Sequence, residues 1–455
     1  MIIKKITLLI SVSFIYTFAS AQENSPYSRY GMGDIVPSQN IVSRSMGGIT
    51  AGFIDSVGFI PYTVLNGNIF FPSSSINLSN PASLGSLNTT LFDIGGEIDT
   101  RTLKSNNDPT KFKATNTLIS YLQLGFPITP KKMIAKGNSL NMALGLRPVT
   151  RINYKIAADK RLAGIDSTTS IFEGNGGISQ ANISLGAKIK NLSIGASTGY
   201  SFGNRQNSSR LFFNNDTVGY QRSNTQSESR FGGIFLTLGV QYGIRLKNKN
   251  VLRLGANANL QQNLKATRDN VNETFIYDGN GGTVSIDTVS SGINQSGKIT
   301  FPATYTVGFT YTTPHWIVGA DVDYTQWSKY RYFGAKDAVQ NNVRFHIGGQ
   351  YFPATSTTPS TKYWSFVKYR AGLFFGNDYV KLNNANRPDY GVTLGASLPL
   401  TSFQRLRVGE FVTLNTGIEI GQRGNKQSQS LREGIIRFDF GISMSASWFQ
   451  KRKYD

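Results

Sequence analysis

The clearest feature of the chain is a strict alternation of apolar and polar residues in its second half. Every second residue from Tyr305 to Tyr311 is apolar, and the pattern resumes from Trp316 to Tyr324 after a turn at Thr313-Pro314. The residues from Ile436 to Trp448 alternate in the same way. Because successive side chains of a β-strand point to opposite faces, each run predicts a strand with one apolar face.

Similar segments recur along the chain, and about fourteen of them can be placed by counting alternations. The predicted strands are 90–102, 115–126, 139–154, 179–189, 191–204, 229–246, 250–267, 301–312, 315–328, 342–353, 364–378, 388–400, 409–422 and 433–449. An even number of such strands is typical of single-chain bacterial outer-membrane barrels, whose chain ends both lie in the periplasm. We therefore expect an all-β fold, a transmembrane antiparallel β-barrel over residues 89–455.

The connections between these strands alternate in length. The short ones are Lys190-Asn191, Lys247 to Asn250 and Thr313-Pro314, and the long polar ones are 155–178, 205–228 and 268–300. Short periplasmic turns and long external loops are the rule in these barrels. We expect the three long segments to be external loops.

The first residues have the order of a secretory signal peptide. Basic Lys4 and Lys5 precede an apolar run from Ile6 to Phe18, which ends at Ala19-Ser20-Ala21. We expect cleavage after residue 21, although a retained anchor is the alternative. The apolar run is shorter than the roughly 20 residues that a membrane-spanning helix needs. Together with the strands, this predicts an outer-membrane protein of a Gram-negative cell envelope.

Residues 22–88 lack clear alternation and precede the first predicted strand. This segment contains Pro61, Pro72 and Pro81 together with apolar residues such as Phe53 and Ile54. A segment of this kind either hangs in the periplasm or folds into the barrel lumen, and its apolar content favours the lumen. We expect residues 22–88 to form a hatch.

The composition narrows the function further. The chain contains no cysteine, which excludes a lipoprotein anchor, disulfides and a zinc-thiolate site. Its net charge is +21, and for an outer-membrane barrel the matching anionic partner is lipopolysaccharide phosphate, besides the outer-membrane lipid itself. Since no nucleic-acid-binding module is recognisable, we expect no nucleic-acid partner.

Three pairs of stretches share a pattern with a known family. They are 43–51 with Asn80-Pro81-Ala82, 301–309 with 320–328, and 342–351 with 369–373. These stretches resemble the FadL family of outer-membrane channels for long-chain fatty acids and other hydrophobic compounds. The resemblance implies a fourteen-stranded barrel with an amino-terminal luminal hatch, in which Asn80, Pro81 and Ala82 belong to the hatch.

The resemblance is incomplete at two places. Gln350 stands where the family usually has Glu, and residues 24–31 are similar instead to the start of Bacteroidota envelope proteins. Two functions therefore stay open. The first is passive uptake of hydrophobic small molecules such as long-chain fatty acids. The alternative is a structural or docking barrel that holds protein partners in an envelope secretion or assembly complex, which the polar luminal register favours because an apolar ligand needs a mostly apolar pocket.

The residues that could carry chemistry are few. His315 and His346 are the only histidines, and neither is accompanied by a nucleophile and an orienting partner, so we expect no enzyme, catalytic residue or cofactor. Asp321 and Asp323 share a strand face at a spacing that acid–base catalysis or calcium would allow. Confined luminal carboxylates usually need countercharges, and pairing with the luminal arginines is the preferred interpretation, without any metal. These arginines are Arg253, Arg344 and Arg437.

Aromatic residues near the predicted strand ends have an ordinary interpretation. Side chains at such positions usually form the girdle at the membrane interface, and this set comprises Trp316, Tyr324, Trp364, Trp448 and Phe449. Trp327 differs because it falls on the polar-face register. It either lines a ligand path or packs against the hatch, and the sequence does not decide between them.

Overall fold

The computed structural model describes residues 25–55, 63–65, 68–70, 73–105, 110–162, 166–214, 220–247, 250–278, 283–354, 362–382, 385–401, 411–426 and 431–446. Three short strands come first: β1 (Asp34–Ile35), β2 (Thr63–Leu65) and β3 (Asn68–Phe70). The short helix α1 (Ile41–Arg44) lies between β1 and β2, and α2 (Lys131–Ala135) lies in the barrel wall's second connection. The predicted signal peptide and its cleavage site fall outside the described residues.

The remaining strands form the barrel wall. They are β4 (Thr90–Lys104), β5 (Lys111–Pro127), β6 (Ser139–Leu162), β7 (Asp166–Ile189), β8 (Leu192–Phe213), β9 (Arg222–Arg245), β10 (Val251–Asn259), β11 (Gln262–Tyr277), β12 (Thr283–Phe301), β13 (Thr304–Thr312), β14 (Trp316–Thr325), β15 (Arg331–Tyr332), β16 (Asn342–Tyr351), β17 (Lys368–Asn377), β18 (Pro388–Pro399), β19 (Phe411–Arg423) and β20 (Arg432–Ala446). Among the described residues, short 3-10 helices occur at Pro26–Arg29, Pro81–Ser86, Trp327–Lys329 and Tyr363–Phe366.

These strands close into an antiparallel barrel of fourteen strands, as predicted. Each of the fourteen crossings of the wall pairs with the crossings before and after it in the chain. β20 pairs with β4 from Ala446↔Thr90 to Arg432↔Lys104, which joins the last strand to the first. Three crossings of the wall are made of two segments each: β10 with β11, β12 with β13, and β14 with β15. Short interruptions separate the segments, so that β10 pairs with one half of β9 and β11 with the other.

Side chains alternate between lipid and lumen across the central band of the wall. In β7 and β8 the exposed residues Ile183, Leu185 and Ile194 alternate with the buried Ser184 and Ser197. This distribution is the reverse of a soluble sandwich, whose apolar face is buried, and it identifies an outer-membrane-type barrel. Among the described residues no helix is long and apolar enough to cross a membrane.

The three segments predicted as long external loops are largely strands. β6 and β7 remain paired up to Leu162↔Asp166, β8 and β9 up to Leu211↔Ser223, and β11 and β12 up to Tyr277↔Thr283. The prediction of loops at 155–178, 205–228 and 268–300 was therefore wrong. Backbone pairing continues beyond the membrane, where both faces meet water and the apolar alternation has no cause to persist.

The described residues 25–55 and 73–88, called here the luminal segment, lie inside the barrel. Most of them are buried, and their backbone touches the inner face of the wall where glycines leave room. A Cβ at Gly255, Gly348 or Gly372 would overlap the backbone of Ala51, Met46 or Gly47. The boundaries of the predicted hatch and its action as a gate stay predictions.

Candidate functional site

The two edges of strand β6 differ, and the difference defines the candidate site. On one edge β6 pairs with β7 over its whole length, from Ser139 to Leu162. On the other edge it pairs with β5 only from Asn141 to Leu146, opposite Pro127 to Leu122. We call the parted region between residues 111–121 of β5 and 147–162 of β6 the seam.

Local irregularities explain why the strands part at this level. Pro148 has no N–H to donate, and the next residue, Val149, is bulged out of the β6–β7 register. In β5 the residue Ser120 is an extra one between Tyr121 and Ile119, which pair with Gly95 and Gly96 of β4. Bulges bend and twist a strand. Two of them at the same height turn β5 and β6 away from each other.

A piece of the luminal segment occupies the edge that β5 leaves. In β1, Asp34 pairs with Arg151 and Ile35 with Thr150, and the Val36 N–H donates to the Val149 carbonyl over 3.0 Å. Gly33, directly before β1, has a φ of 100°. A Cβ there would lie 2.5 Å from the Arg151 carbonyl oxygen, so only glycine brings the chain this close to β6.

Buried charges hold β1 in the seam from the inner side. The Asp34 carboxylate forms ion pairs with Arg101 of β4 and, over 2.8 Å, with Arg423 of β19. Burial alone would raise the pKa of Asp34, but the two guanidinium groups hold that pKa well below its usual range. The acidic Glu433 lies 3.7 Å from Arg423 and 3.9 Å from Arg101. Asp34 is therefore charged and bridges β4 and β19, the two strands that flank β20.

The outer face of the seam is an apolar groove. Its volume is about 1360 Å³, and apolar side chains line it along β5, β6 and β8, namely Leu118, Ile119, Leu122, Leu146, Tyr200 and Phe202. Ile119 is 66% exposed, at a level where lipid would cover it. Val36, Arg147, Arg151, Arg230 and Lys265 also line the groove. The Arg151 guanidinium spans the seam and donates to Asn116 of β5 over 2.6 Å. The groove thus offers apolar walls and four cationic side chains.

The lumen itself is narrow and polar. Its described cavity has a volume of about 200 Å³. Charged side chains from opposite walls line it, among them Arg44, Asp323, Arg344, Asp389, Glu419, Arg423 and Arg437. Ligand pockets for drug-sized apolar molecules have volumes of about 300–1,000 Å³ and mostly apolar walls. In this conformation the cavity among the described residues does not match such a pocket.

Further ion pairs fix the luminal segment to the wall away from the seam. Arg44 of α1 contacts Glu97 and, over 3.1 Å, Asp439. Asp55 contacts Lys368 over 2.7 Å and Arg370 over 3.5 Å. Breaking a buried pair by removing one partner costs about 3–5 kcal/mol. The luminal segment is consequently anchored at several points of the lumen.

The predicted hatch residues form a compact bend in the lumen. Asn80 is fully buried, and its side chain accepts a hydrogen bond from the Ala82 N–H over 3.1 Å and donates to the Ala51 carbonyl over 2.7 Å. Pro81 begins the 3-10 helix that follows. Asn80 therefore links the two described parts of the luminal segment. Whether these residues line a ligand path stays a prediction.

Trp327 packs inside the barrel against the luminal segment. Its side chain is 1% exposed, stacks on Tyr379 with ring centroids 4.5 Å apart, and meets the Phe301 ring edge-on at 5.6 Å. A Cβ at Gly31 would lie 3.1 Å from the indole ring. Of the two roles weighed for Trp327, the contacts observed are those of packing, and a ligand-path role stays untested.

The preferred pairing of Asp321 with a luminal arginine was wrong. Its carboxylate instead accepts hydrogen bonds from the backbone N–H groups of Thr50, over 2.5 Å, and Ala51, over 2.8 Å. The luminal segment passes close enough to supply these donors. The alternation of residues along the wall strands does not predict this contact. Asp321 consequently fixes the luminal segment to β14.

Asp323 also lacks the predicted arginine partner at ion-pair distance. Its carboxylate lies 3.2 Å from Nε2 of His346, whose Nδ1 lies 2.5 Å from the Gly47 carbonyl oxygen. His346 lies directly opposite Asp321 in the β14–β16 ladder, and Asp323 is two residues further along β14. His346 thus links Asp323 to the backbone of the luminal segment.

The predicted luminal arginines are all inside the barrel, with different partners. Arg344 forms an ion pair with Asp389, and Arg437 pairs with Glu419 over 3.0 Å and approaches Asp99 at 3.6 Å. Arg253 is 8% exposed on β10. The acids that neutralise Arg437 come from the neighbouring strands β19 and β4, whereas Asp389 lies on β18, one strand beyond the neighbour of Arg344. No cluster of acidic or histidine side chains suited to a metal ion occurs in the described part of the chain.

The aromatic side chains expected at the membrane interface are exposed where the structure describes them. Trp316 is 51% exposed, Trp364 is 66% exposed and Tyr324 is 36% exposed. Trp448 and Phe449 lie outside the described residues. The seam, in contrast, was missed, although Pro148 inside an alternating strand was a usable signal because proline is confined to strand edges and bulges.

Comparison with known proteins supports the fold. A family model described as BamG matches residues 1–455, and no curated protein gives a significant match. The solved toluene transporter TodX of Pseudomonas putida is 15% identical, covers 92% of this chain and 100% of its own, and has a TM-score of 0.51. The toluene transporter TbuX of Ralstonia pickettii is 14% identical over 90% of this chain and 99% of its own, with a TM-score of 0.49. The likeness to TodX shows a shared barrel fold.

Proposed function

The chain belongs to the BamG family, and we propose that it is an outer-membrane channel for passive uptake of hydrophobic small molecules. These molecules cross the wall at the seam. The observation that carries the proposal is the parting of β5 and β6 beside an apolar groove of about 1360 Å³. A hydrophobic compound in the outer leaflet can enter this groove without leaving an apolar environment.

The substrate class follows from the lining of the groove. Its walls are aliphatic and aromatic, while Arg147 and Arg151 lie at the same opening. An acyl chain fits the apolar walls, and a carboxylate can pair with a guanidinium group. We propose long-chain fatty acids as a substrate, in agreement with the family resemblance of the sequence. TodX, a toluene transporter with the same fold, supports an apolar substrate in general.

Movement of β1 is the step that opens this route. β1 contributes two backbone pairs to β6, a small contact compared with any neighbouring ladder of the wall. The Asp34 ion pairs oppose the movement, so the open state is a minor one. Passage then depends on diffusion and on the population of that state, without an energy source.

Locking β1 to β6 tests the proposal directly. Ile35 and Thr150 lie directly opposite each other, and cross-strand neighbours have the Cα separation that a disulfide requires. Since the chain has no cysteine, Ile35→Cys with Thr150→Cys introduces a single pair. We expect uptake of a radiolabelled long-chain fatty acid to fall at least about tenfold on oxidation and to recover after reduction.

A matched lock on a continuous ladder provides the control. Thr304 and Thr325 face each other in β13 and β14 with hydroxyl oxygens 3.0 Å apart. Thr304→Cys with Thr325→Cys should leave uptake unchanged in both redox states, with heat-modifiable gel mobility reporting that both barrels fold. Uptake that is insensitive to the seam lock would refute the channel proposal.

A second candidate is a structural or docking barrel for protein partners of the envelope. The ion-paired luminal segment and the small polar cavity favour it. The seam edge of β6 is occupied as far as Asn153, whose N–H donates to Ser28 over 3.2 Å. At Ala157 no described strand pairs with this edge, and an open strand edge can pair with an extended peptide. A photo-crosslinker at Ala157 should then capture one stoichiometric protein, whereas the same crosslinker at Asn182, inside the β6–β7–β8 ladder, should not.

A further inference from the structure

A second site lies on the outer wall at the far end of the same groove, on β8 to β12, and it shares Tyr200 and Phe202 with the part of the groove at the seam. Three registers place Phe202 of β8 opposite Gly232 of β9, Gly232 opposite Lys265 of β11, and Lys265 opposite Lys298 of β12. Directly opposite residues of neighbouring strands point to the same face of a sheet. Phe202 and Lys265 are exposed on the outer face, so the row runs along the outside of the barrel.

Gly232 leaves a depression in this row. A Cβ at this position would overlap the phenol of Tyr200, whose side chain therefore lies across the glycine. The phenol hydroxyl is thus placed between Phe202 and the two lysines. The Tyr200 hydroxyl, the Phe202 ring and the Lys265 ammonium group surround this shallow depression, which we call the cradle. Any larger residue at position 232 would fill it.

The charges of this cradle are not balanced by the protein. Lys265 and Lys298 face each other directly, and like charges in opposite positions destabilise a sheet. Neither ammonium group lies within ion-pair distance of a carboxylate in the part of the chain that the structure describes. Arg230, on the neighbouring strand, pairs with Glu228 over 3.1 Å and is 67% exposed. An anion from outside the chain would neutralise this local excess of positive charge.

The position of the cradle selects the kind of anion. On one side along the strands lie the lipid-facing Ile234 and Leu236, which are 74% and 38% exposed. On the other side the strands continue as polar extensions. The lysines therefore lie where the apolar band ends, at the level of lipid headgroups on the side that the long extensions mark as external.

We propose that Tyr200, Lys265 and Lys298 form a binding site for the phosphorylated headgroup of an outer-leaflet glycolipid of the lipid A type. The two ammonium groups and the phenol hydroxyl donate hydrogen bonds to one phosphate, while an acyl chain of the same lipid lies on Phe202 and Ile234. Charge-assisted hydrogen bonds of this kind are about twice as strong as neutral ones. The proposal does not depend on passage of any compound through the seam.

Lipid binding to the purified, full-length barrel tests this site. Native mass spectrometry with diphosphoryl lipid A as the probe should show one bound lipid, and dephosphorylated lipid A should bind at least about tenfold more weakly, because two charge-assisted contacts are lost. Lys265→Gln with Lys298→Gln should cause the same loss. Tyr200→Phe, which removes only the hydroxyl, should cause a loss of about threefold to tenfold.

A charge-matched variant separates the site from general attraction. Lys131→Gln with Lys132→Gln removes two exposed lysines from α2, away from the cradle and the seam, and should leave lipid A binding unchanged. Equal losses in both double variants would overturn the proposal in favour of non-specific charge. Unchanged binding in the cradle variant, or equal affinity for phosphorylated and dephosphorylated lipid, would also overturn it. Phosphatidylglycerol that binds as tightly as lipid A would exclude the glycolipid.

Discussion

The two edges of β6 carry the same residues but have different surroundings. Along β7 the strand is hydrogen-bonded from one end to the other, whereas along β5 the ladder stops at Leu146 and β1 of the luminal segment takes over at Thr150 and Arg151. A continuous ladder opens only when the barrel unfolds, while a short one opens by local fluctuation. The barrel thus combines a rigid frame with one place where its wall can change.

Removal of the Asp34 charge should have the largest effect on this contrast. Asp34→Asn removes one of the two carboxylates that Arg101 and Arg423 share, with Glu433 as the other, and destabilises the closed seam by about 3 kcal/mol. Val36 is buried where it lines the groove. In a Val36→Cys background, maleimide labelling on intact cells should become at least about tenfold faster.

Asp55→Asn is the matched control for this experiment. It breaks ion pairs of similar burial to Lys368 and Arg370, away from the seam. It should lower barrel stability comparably without accelerating labelling at position 36. Equal labelling rates in the two variants would mean that β1 is not an independent unit.

Gly33→Ala should weaken the same contact through the backbone. The residue has a φ of 100°, and an added Cβ would press on the Arg151 carbonyl, which costs about 1–3 kcal/mol. Faster hydrogen exchange at Val36 should report this loss. Gly243→Ala on β9, where the nearest atom is 3.9 Å away, should leave exchange at Val36 as it is.

Two adjacent alanines distinguish the edges of β6 at single-residue resolution. The Asn153 N–H points toward the seam and donates to Ser28. Since successive N–H groups of a strand point to opposite edges, the N–H of Ala157 points to the seam and that of Ala158 to β7. Ala158→Pro should therefore weaken the β6–β7 hairpin by about 1–2 kcal/mol, and Ala157→Pro should have little effect. Proteolysis of the external hairpin provides the measurement, and equal sensitivity would contradict the assigned edges.

Acidification should have the smallest effect. The folded-state pKa of Asp34 lies below the unfolded value of about 3.9. Its stabilising contribution is therefore complete above the unfolded pKa and is lost only as the pH falls through the lower, folded value. Maleimide labelling of the Val36→Cys variant, corrected for thiolate content, should be the same at pH 5 and pH 7. Opening of the seam at pH 5 would show that Asp34 is not held ionised.

The parts of the fold that follow from sequence are those that the membrane dictates. Residues such as Val307, Phe309 and Val318 must be apolar because they face lipid, so alternation revealed the fourteen strands. Outside the membrane that constraint ends, and the polar residues 155–162 and 166–178 form strands that composition alone cannot distinguish from loops. Backbone hydrogen bonds stabilise the strands both within and outside the membrane. Only within the membrane do the side chains alternate between apolar and polar.

The candidate site was hidden for a different reason. Asp34, Arg101 and Arg423 are separated by long stretches of sequence, and their contact exists only once the barrel closes and the luminal segment enters it. Similarly, Asp321 meets backbone donors of Thr50 and Ala51 that no spacing rule predicts. Pro148 was the accessible clue to the seam, since a proline within a barrel strand implies an edge or a bulge.

Residue-resolved hydrogen exchange along β6 tests the contrast between its edges most directly. By alternation from Asn153, the amides of Arg151 and Asn153 face the seam, and those of Ile152 and Tyr154 face β7. In the folded barrel we expect the amides of Arg151 and Asn153 to exchange at least about tenfold faster than those of Ile152 and Tyr154, because only the seam opens locally. Equal protection of all four amides would show that the wall at β6 is closed on both sides and would contradict the account.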